Sequence, residues 1–497
     1  MREERGRVEN LNFGFRAPKK GKTAAPLLLL LPSSSPPLPQ AQLLLPMPSP
    51  ALSVTLVVKF DHALGHVVES VHPPTLAPID TGLARRVARL SLPDSSSLDL
   101  NSGDVVYTFR VRDGSRFLFG SVFFRQKKQL DVPRGAVQKS VVLLTEDKTL
   151  ATSQLITVLG PLYFTFGPDV LNRALEEVMA SVYPHPGKAL AVAGTTVSLE
   201  PDSIGLYTVF QGLSICLWHV WELTLCAQPI LVLAGTPAVC SQAVLALCSL
   251  ISPLVPTQDF RPYFTIYDDD FDAYSKSCTE GPILGATNPF LLRALERFPN
   301  VLCMTSQANP AVKLLGGSSL RPLLKDGRWA KSLFLSKESA LTKRDESVVA
   351  QLRYALPAAG DALLRATFRE MTESFLLPME KHAALTAIGA RAAAKQRGAL
   401  VVNTDSKAFL SQPFKESDLF DRTAFLASVP RYGRFPRALY SKFLDSGNFP
   451  PWLALQRKLL NEQLLEISQA IDPFCQPLAS PPPPLLTPPP FAETALP

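Results

Sequence analysis

Three successive carboxylates, Asp268, Asp269 and Asp270, close an apolar run that reads Tyr263-Phe-Thr-Ile-Tyr267. If that run is a strand, its period of two sends Asp268 and Asp270 to one side. Two carboxylates so placed offer the oxygen donors that a hard divalent cation takes, the chemistry of a metal-dependent transferase with an Asp-x-Asp site. A strand-end Asp also serves nucleotide hydrolases, but their Gly-x-x-x-x-Gly-Lys-Ser/Thr loop occurs nowhere in the sequence. The competing reading needs no metal. It is a solvated turn that caps the next helix or meets a partner, with Phe271 and Tyr274 returning to the core. His219 and Glu222 stand one helical turn apart, yet no second His/Glu unit accompanies them. They read as a buried pair that satisfies itself. No Gly-x-Ser-x-Gly, His-Glu-x-x-His or Gly-x-Gly-x-x-Gly motif is present, and six histidines assemble no triad. The motifs point away from covalent catalysis, and no cofactor is expected.

The elements that would hold these residues change character along the chain. Residues 54–60 are rich in β-branched types, and Val105–Arg112 alternates before Asp113-Gly114, a hairpin turn answered by Arg116–Arg125. Residues 137–144 supply another strand, and a short helix is predicted over 82–90. From about residue 148 the period becomes helical. Leu171, Leu175, Val178, Met179 and Val182 share one face of a helix from Pro168. Strands over 229–234, 263–267, 283–286 and 301–304 then alternate with helices, two of them opened by Thr236-Pro237 and Asn288-Pro289. That alternation predicts a parallel, doubly wound sheet. After about residue 340 only helices are expected, over 361–377, 378–397 and 452–471. Arg391, Lys395 and Arg397 form a basic face on one of them, solvated or turned to an acidic surface.

The bulk numbers bound the rest. A chain of 497 residues with 46% hydrophobic and 19% charged residues supports two or three cores. Eighteen of its 46 prolines fall in residues 26–50 and 473–497, which read as Pro-rich tails. The net charge of +7 is concentrated in residues 1–25, so the body is nearly balanced and shows no nucleic-acid footprint. Seven cysteines with no Cys-x-x-Cys spacing read as reduced thiols of a cytosolic protein. Leu27–Leu31 is too short for a secretory leader. The apolar stretches 204–233 and 239–255 are interrupted by polar residues and read as buried elements, not membrane spans.

Over residues 54–455 the sequence also resembles the DENN domain, in the sixth subclass of DENN proteins. Leu90-Ser-Leu-Pro-Asp-Ser95 is similar to the family's Leu-Ser-Phe-Pro-Asp-Ser. Val122-Phe-Phe-Arg-Gln126 and Val137-Gln-Lys-Ser-Val-Val-Leu143 match two of its strands. Trp221-Glu-Leu223, Val244-Leu-Ala-Leu247, Ile251-Ser-Pro-Leu254, Asp259-Phe-Arg-Pro-Tyr-Phe-Thr-Ile266 and Gly285-Ala-Thr-Asn-Pro-Phe290 follow in order. Phe368–Phe375 and Tyr440–Phe449 complete the set, and the octet starting at Asp259 is the most specific. Residues 125–136 and 304–341 diverge, both tails match nothing, and the front module looks shortened around Leu98–Asp104.

The resemblance implies an α/β fold in three parts. A longin-like antiparallel-sheet module would span 51–147 and a central doubly wound α/β module 148–310. A linker over 311–340 would lead to an all-helical module over 341–472. It implies a guanine-nucleotide exchange factor that promotes GDP release from a Rab GTPase, which it meets GDP-bound and nucleotide-free. The setting would be cytoplasmic, with peripheral recruitment to endosomal (recycling) membranes. A DENN-like scaffold or adaptor without exchange activity, and a metal-dependent transferase using Asp268 and Asp270, are the alternatives. Exchange needs a broad surface with aromatic and Arg anchors. The candidates are Arg261, Tyr263, Asp268, Asp269, Asn288 and Phe290. Tyr263 and Phe290 also read as core, and Arg261 as a partner for Asp259.

Overall fold

The computed structural model describes residues 52–74, 80–94, 103–129, 132, 135–146, 152–180, 189–192, 194–198, 204–278, 281–304, 332–396, 421–429 and 434–471. Both Pro-rich tails, residues 98–102 and Arg397 lie outside them, as do the side chains of Arg391 and Lys395.

Five strands come first: β1 (Leu52–Asp61), β2 (Gly65–His72), β3 (Val105–Asp113), β4 (Arg116–Lys128) and β5 (Ala136–Thr145). They form one antiparallel sheet in the order β2-β1-β5-β4-β3. Asp113 pairs with Arg116 across the Asp113-Gly114 turn, where Gly114 takes φ +62°. Alternate residues feed opposite faces. Leu56, Val58, Phe109, Val122, Phe124, Val142 and Leu144 pack with helix α1 (Thr81–Leu90) through Leu83, Val87 and Leu90. Val57, Phe123, Val141 and Leu143 face the other way, against α2 (Thr152–Phe166) and α3 (Pro168–Ala180). A sheet covered on both sides explains the unbroken apolar run 141–144. At Gly160 a Cβ would run into the Phe123 ring, so glycine sets how closely α2 approaches β4.

A small hairpin of β6 (Ala189–Val192) and β7 (Thr195–Ser198) leads to α4 (Leu206–Phe210) and α5 (Leu217–Leu225). The second large sheet holds β8 (Ile230–Ala234), β9 (Phe260–Arg261), β10 (Ile283–Ala286), β11 (Asn300–Met304) and β12 (Ser332–Ser336). Its order is β12-β11-β8-β10-β9, parallel throughout except for the antiparallel edge strand β12. Helices α6 (Pro237–Leu250), α7 (Phe271–Lys276) and α8 (Leu291–Ala294) make its crossovers. Thr236 caps α6 by accepting from the Val239 N–H, with Pro237 in the first turn, as its sequence predicts.

Helices α9 (Glu346–Leu352), α10 (Pro357–Gln396), α11 (Arg422–Ser428), α12 (Arg437–Leu444) and α13 (Phe449–Ile471) follow. They complete a core that begins at Leu206 and ends at Leu453. Trp221 Nε1 donates to Thr372 Oγ1 (2.9 Å). Asn448 accepts from the Thr257 N–H (2.9 Å) and donates to the carbonyls of Thr224 and Leu225 (3.0 Å each).

Four expectations change. Residues 311–340, read as a linker, contribute β12. The helices expected over 361–377 and 378–397 are one helix, α10, with Pro378 inside it. The expected His219–Glu222 pair gives way to other partners. Glu222 accepts from the Leu341 and Thr342 N–H groups and the Thr342 hydroxyl, while His219 lies edge-on to Phe334. The strand expected over 263–267 ends at Arg261. Pro262 has no N–H to give the ladder. The Phe264 N–H still reaches the Gly285 carbonyl, after which the chain turns with Asp268 N–H donating to the Thr265 carbonyl (3.1 Å).

Candidate functional site: a buried ion cluster beneath an exposed turn

Strand β9 delivers Arg261 into the seam between the two large sheets, where its side chain is 1% exposed. Three carboxylates surround the guanidinium. Nε donates to Asp259 (2.9 Å), Nη1 to Asp268 (3.2 Å) and Nη2 to Asp270. From β3, Arg110 donates to the other oxygen of Asp259 (2.9 Å), and Arg112 approaches Asp270 (3.5 Å). Three arginines thus face three aspartates. The Phe117 ring lies 3.8 Å from the Arg110 guanidinium, 5.1 Å from that of Arg112 and 4.9 Å from that of Arg261. The Tyr274 hydroxyl donates to Asp259 (2.5 Å).

Electrostatics follow from burial and neighbours. Burial disfavours the Arg261 charge, but Asp268 and Asp259 outweigh it and raise its pKa. Asp268 is the weaker side of the pair. Its side chain is 4% exposed, and burial pushes its carboxyl up to about 6 against the opposing pull of Arg261. Arg261 divides itself among three carboxylates, whereas Asp268 depends on one guanidinium and the Asp270 N–H (3.0 Å). Burial, the hydrogen bond to Asp259 and that carboxylate's charge all raise the Tyr274 phenol.

This arrangement corrects two expectations. Asp268 and Asp270 do converge, but on the Arg261 guanidinium, so the position that an Asp-x-Asp cation would take holds an internal cation. Arg261 and Tyr263 are buried and cannot reach a partner from where they lie. The Tyr263 hydroxyl accepts from the Asp94 N–H (3.0 Å), and its ring meets Tyr107 edge-on.

Above the cluster the turn is open. Ile266 is 39% exposed, and Tyr267 is exposed between the Arg89 guanidinium (5.5 Å) and the His66 ring (5.9 Å). Asp269 points outward and pairs with Arg86 of α1 (3.5 Å). The loop after β10 leaves the same carboxyl edge of the sheet. There Asn288 is half-buried, its side chain accepting from the Phe290 N–H (3.0 Å), and Phe290 is 58% exposed, not core. The carboxyl edge of a parallel sheet is where such folds place ligands.

Of the six sequence candidates, Asp269, Asn288 and Phe290 are accessible, while the side chains of Arg261, Asp268 and Tyr263 are buried. Sequence reasoning missed Ile266, Tyr267, Arg86, Arg110 and Arg112. The Arg110-Val-Arg112 spacing was the available signal, because it places two cations on one side of a strand. Among the described residues, no group of three or more His, Cys, Asp or Glu side chains could hold a metal ion, and no helix is long and apolar enough to cross a membrane.

No family model matches the chain. Individual relatives do. Protein DENND6B of Homo sapiens is 31% identical over 400 residues, covering 67% of this chain and 68% of that protein. Protein DENND6A of Gallus gallus is 27% identical over 490 residues, covering 83% and 80%. The Dictyostelium discoideum DENND6 homologue is 27% identical over 518 residues, covering 80% and 69%. A mixed α/β chain with this antiparallel sheet, and with such relatives, belongs to the DENN-domain proteins, in their DENND6 subclass.

Proposed function

We propose that the chain is a guanine-nucleotide exchange factor for a Rab GTPase, acting without covalent chemistry. One observation carries the reading. In a chain of the DENND6 subclass, an exposed turn with Ile266, Tyr267 and Asp269 sits on a cluster of paired charges at the seam of two sheets. On this reading β1–β5 with α1–α3 are the longin-like module, whose expected end at residue 147 moves to 180 because α2 and α3 pack on its sheet. The parallel sheet is the central module and α9–α13 the helical one. The GTPase docks across the seam through Tyr267, Asp269, Asn288 and Phe290, with Arg86 and Arg89 on the other bank.

An exchange factor works by differential affinity. It binds the nucleotide-free GTPase more tightly than the GDP-bound form, and by linkage it weakens GDP binding by the same free energy. A thousandfold acceleration corresponds to about 4 kcal/mol off the release barrier. Exposed aromatic anchors over a preorganised base suit that task, because the ordering cost is met during folding, not at docking. The proposed setting is the cytoplasmic face of endosomal (recycling) membranes.

The test is release of fluorescent GDP from a panel of purified Rab proteins. The reading expects acceleration of at least one Rab and capture of its nucleotide-free form. Equal affinity for nucleotide-free and GDP-bound Rab would instead identify a scaffold. No acceleration and no capture anywhere in the panel would reject the exchange reading.

A further inference from the structure

The six-charge cluster is more than an exchange surface requires, and its geometry is directional. Arg261 reaches residues two, seven and nine positions along its own chain, so it closes the segment 259–270 on itself. Arg110 and Arg112 then fasten both ends of that segment to β3. Buried ion pairs are weak sources of net stability, because desolvation offsets the attraction, but they fix geometry. The guanidinium is planar with donors in a fixed fork, so three carboxylates arranged around it specify one conformation of the turn.

We infer that Arg261 is a positioning residue for exchange: it sets the 266–270 turn so that Ile266, Tyr267 and Asp269 meet the GTPase, without touching it. The inference rests on the exchange reading above. Asp270 is the accessible end of the device, a quarter exposed and shared between Arg261 and Arg112. Arg110 and Arg112 therefore tie the position of β3 to Asp259 and Asp270, and Arg261 carries it from these two to Asp268 in the turn.

The experiment compares the full-length wild type with Asp270→Asn, Asp270→Glu and Arg261→Lys. It measures melting temperature, amide hydrogen exchange over 266–270, and kcat and KM for GDP release. Asp270→Asn should leave melting nearly unchanged and speed amide exchange in the turn. It should also lower kcat/KM about tenfold through KM, equivalent to about 1.4 kcal/mol of binding. Asp270→Glu should recover most of that loss, and Arg261→Lys should lose more than Asp270→Asn. A Lys ammonium is a point charge that cannot meet three carboxylates at once. If Arg261→Lys does not fold, the two Asp270 variants still decide. Wild-type kcat/KM in Asp270→Asn, with an active wild type, would overturn the inference. A fall in kcat/KM that merely tracks melting temperature would also overturn it. A wild type inert towards every GTPase would reject the exchange reading instead. The turn-setting role would then be judged by amide exchange alone, and unchanged exchange over 266–270 would reject it as well.

Discussion

Phe290→Ala tests whether the carboxyl edge of the parallel sheet meets the GTPase. The ring is 58% exposed, and its backbone N–H is held by Asn288 whatever the side chain is. A Phe side chain offers roughly 200 Å², so about 115 Å² stands open to water. Covering all of it at about 25 cal/mol/Å² is worth about 3 kcal/mol of binding. Removing the ring should therefore lower kcat/KM for GDP release by up to about a hundredfold. If the contact is equally strong before and during release, the loss appears in KM with kcat little changed. The fold should not notice, since exposed substitutions away from special features stay within about 0.5 kcal/mol. Tyr354→Ala is the control, because that ring is more exposed than Phe290 but lies on the turn between α9 and α10. The assay is stopped-flow release of fluorescent GDP from the responsive Rab, with melting curves on the same samples. Wild-type kcat/KM in Phe290→Ala, or an equal loss in Tyr354→Ala, would refute the reasoning.

Three further outcomes are expected. Ile266→Asp should leave the melting temperature unchanged, whereas Phe264→Asp should unfold the protein, because Ile266 is exposed and Phe264 fully buried. Circular dichroism on heating separates the two. Asp268 holds its proton more tightly folded than unfolded, so its contribution to stability is full below 3.8 and lost as pH rises through about 6. Between pH 4 and pH 7 the stability of Asp268→Asn relative to wild type should therefore improve, and parallel pH profiles would contradict it. Asn448→Ala strands the buried Leu225 carbonyl and takes a partner from the Thr257 N–H, while the Thr224 carbonyl keeps the Ala227 N–H, and urea unfolding should show a loss of about 2 kcal/mol; a loss under about 1 kcal/mol would mean those groups find other partners.

What the sequence disclosed, and what it hid, follows from the range of the interactions involved. Local chemistry was legible. Thr236-Pro237 opens α6, Asp113-Gly114 turns the β3–β4 hairpin, and Leu364, Phe368, Met371 and Phe375 line the buried face of α10. Residues 65–72 and 332–336 were not read as strands. Each is an edge strand, paired on one side only. The 263–267 run misled because β-rich residues fill it, while Pro262 and the pull of Asp268 and Asp270 towards Arg261 bend it out of the sheet. Asp259, Arg261 and the acidic run were visible as neighbours in sequence. Their counter-ions Arg110 and Arg112 lie about 150 residues earlier, and only the packing of β3 against β9 brings them together. Phe290 shows the same limit in reverse: an aromatic after Asn-Pro looks like core until the fold leaves it outside.

The core that joins the parallel sheet to the last helices also orders events in time. Ile230 and Val232 share their apolar cluster with Phe443 and Trp452, more than two hundred residues downstream. A chain emerging from the ribosome therefore leaves that cluster incomplete until Phe443 and Trp452 are released. At roughly 5–20 residues per second, that delay is tens of seconds. Folding of this half is completed only after that interval, during which its unfinished apolar cluster is open to a nascent-chain chaperone.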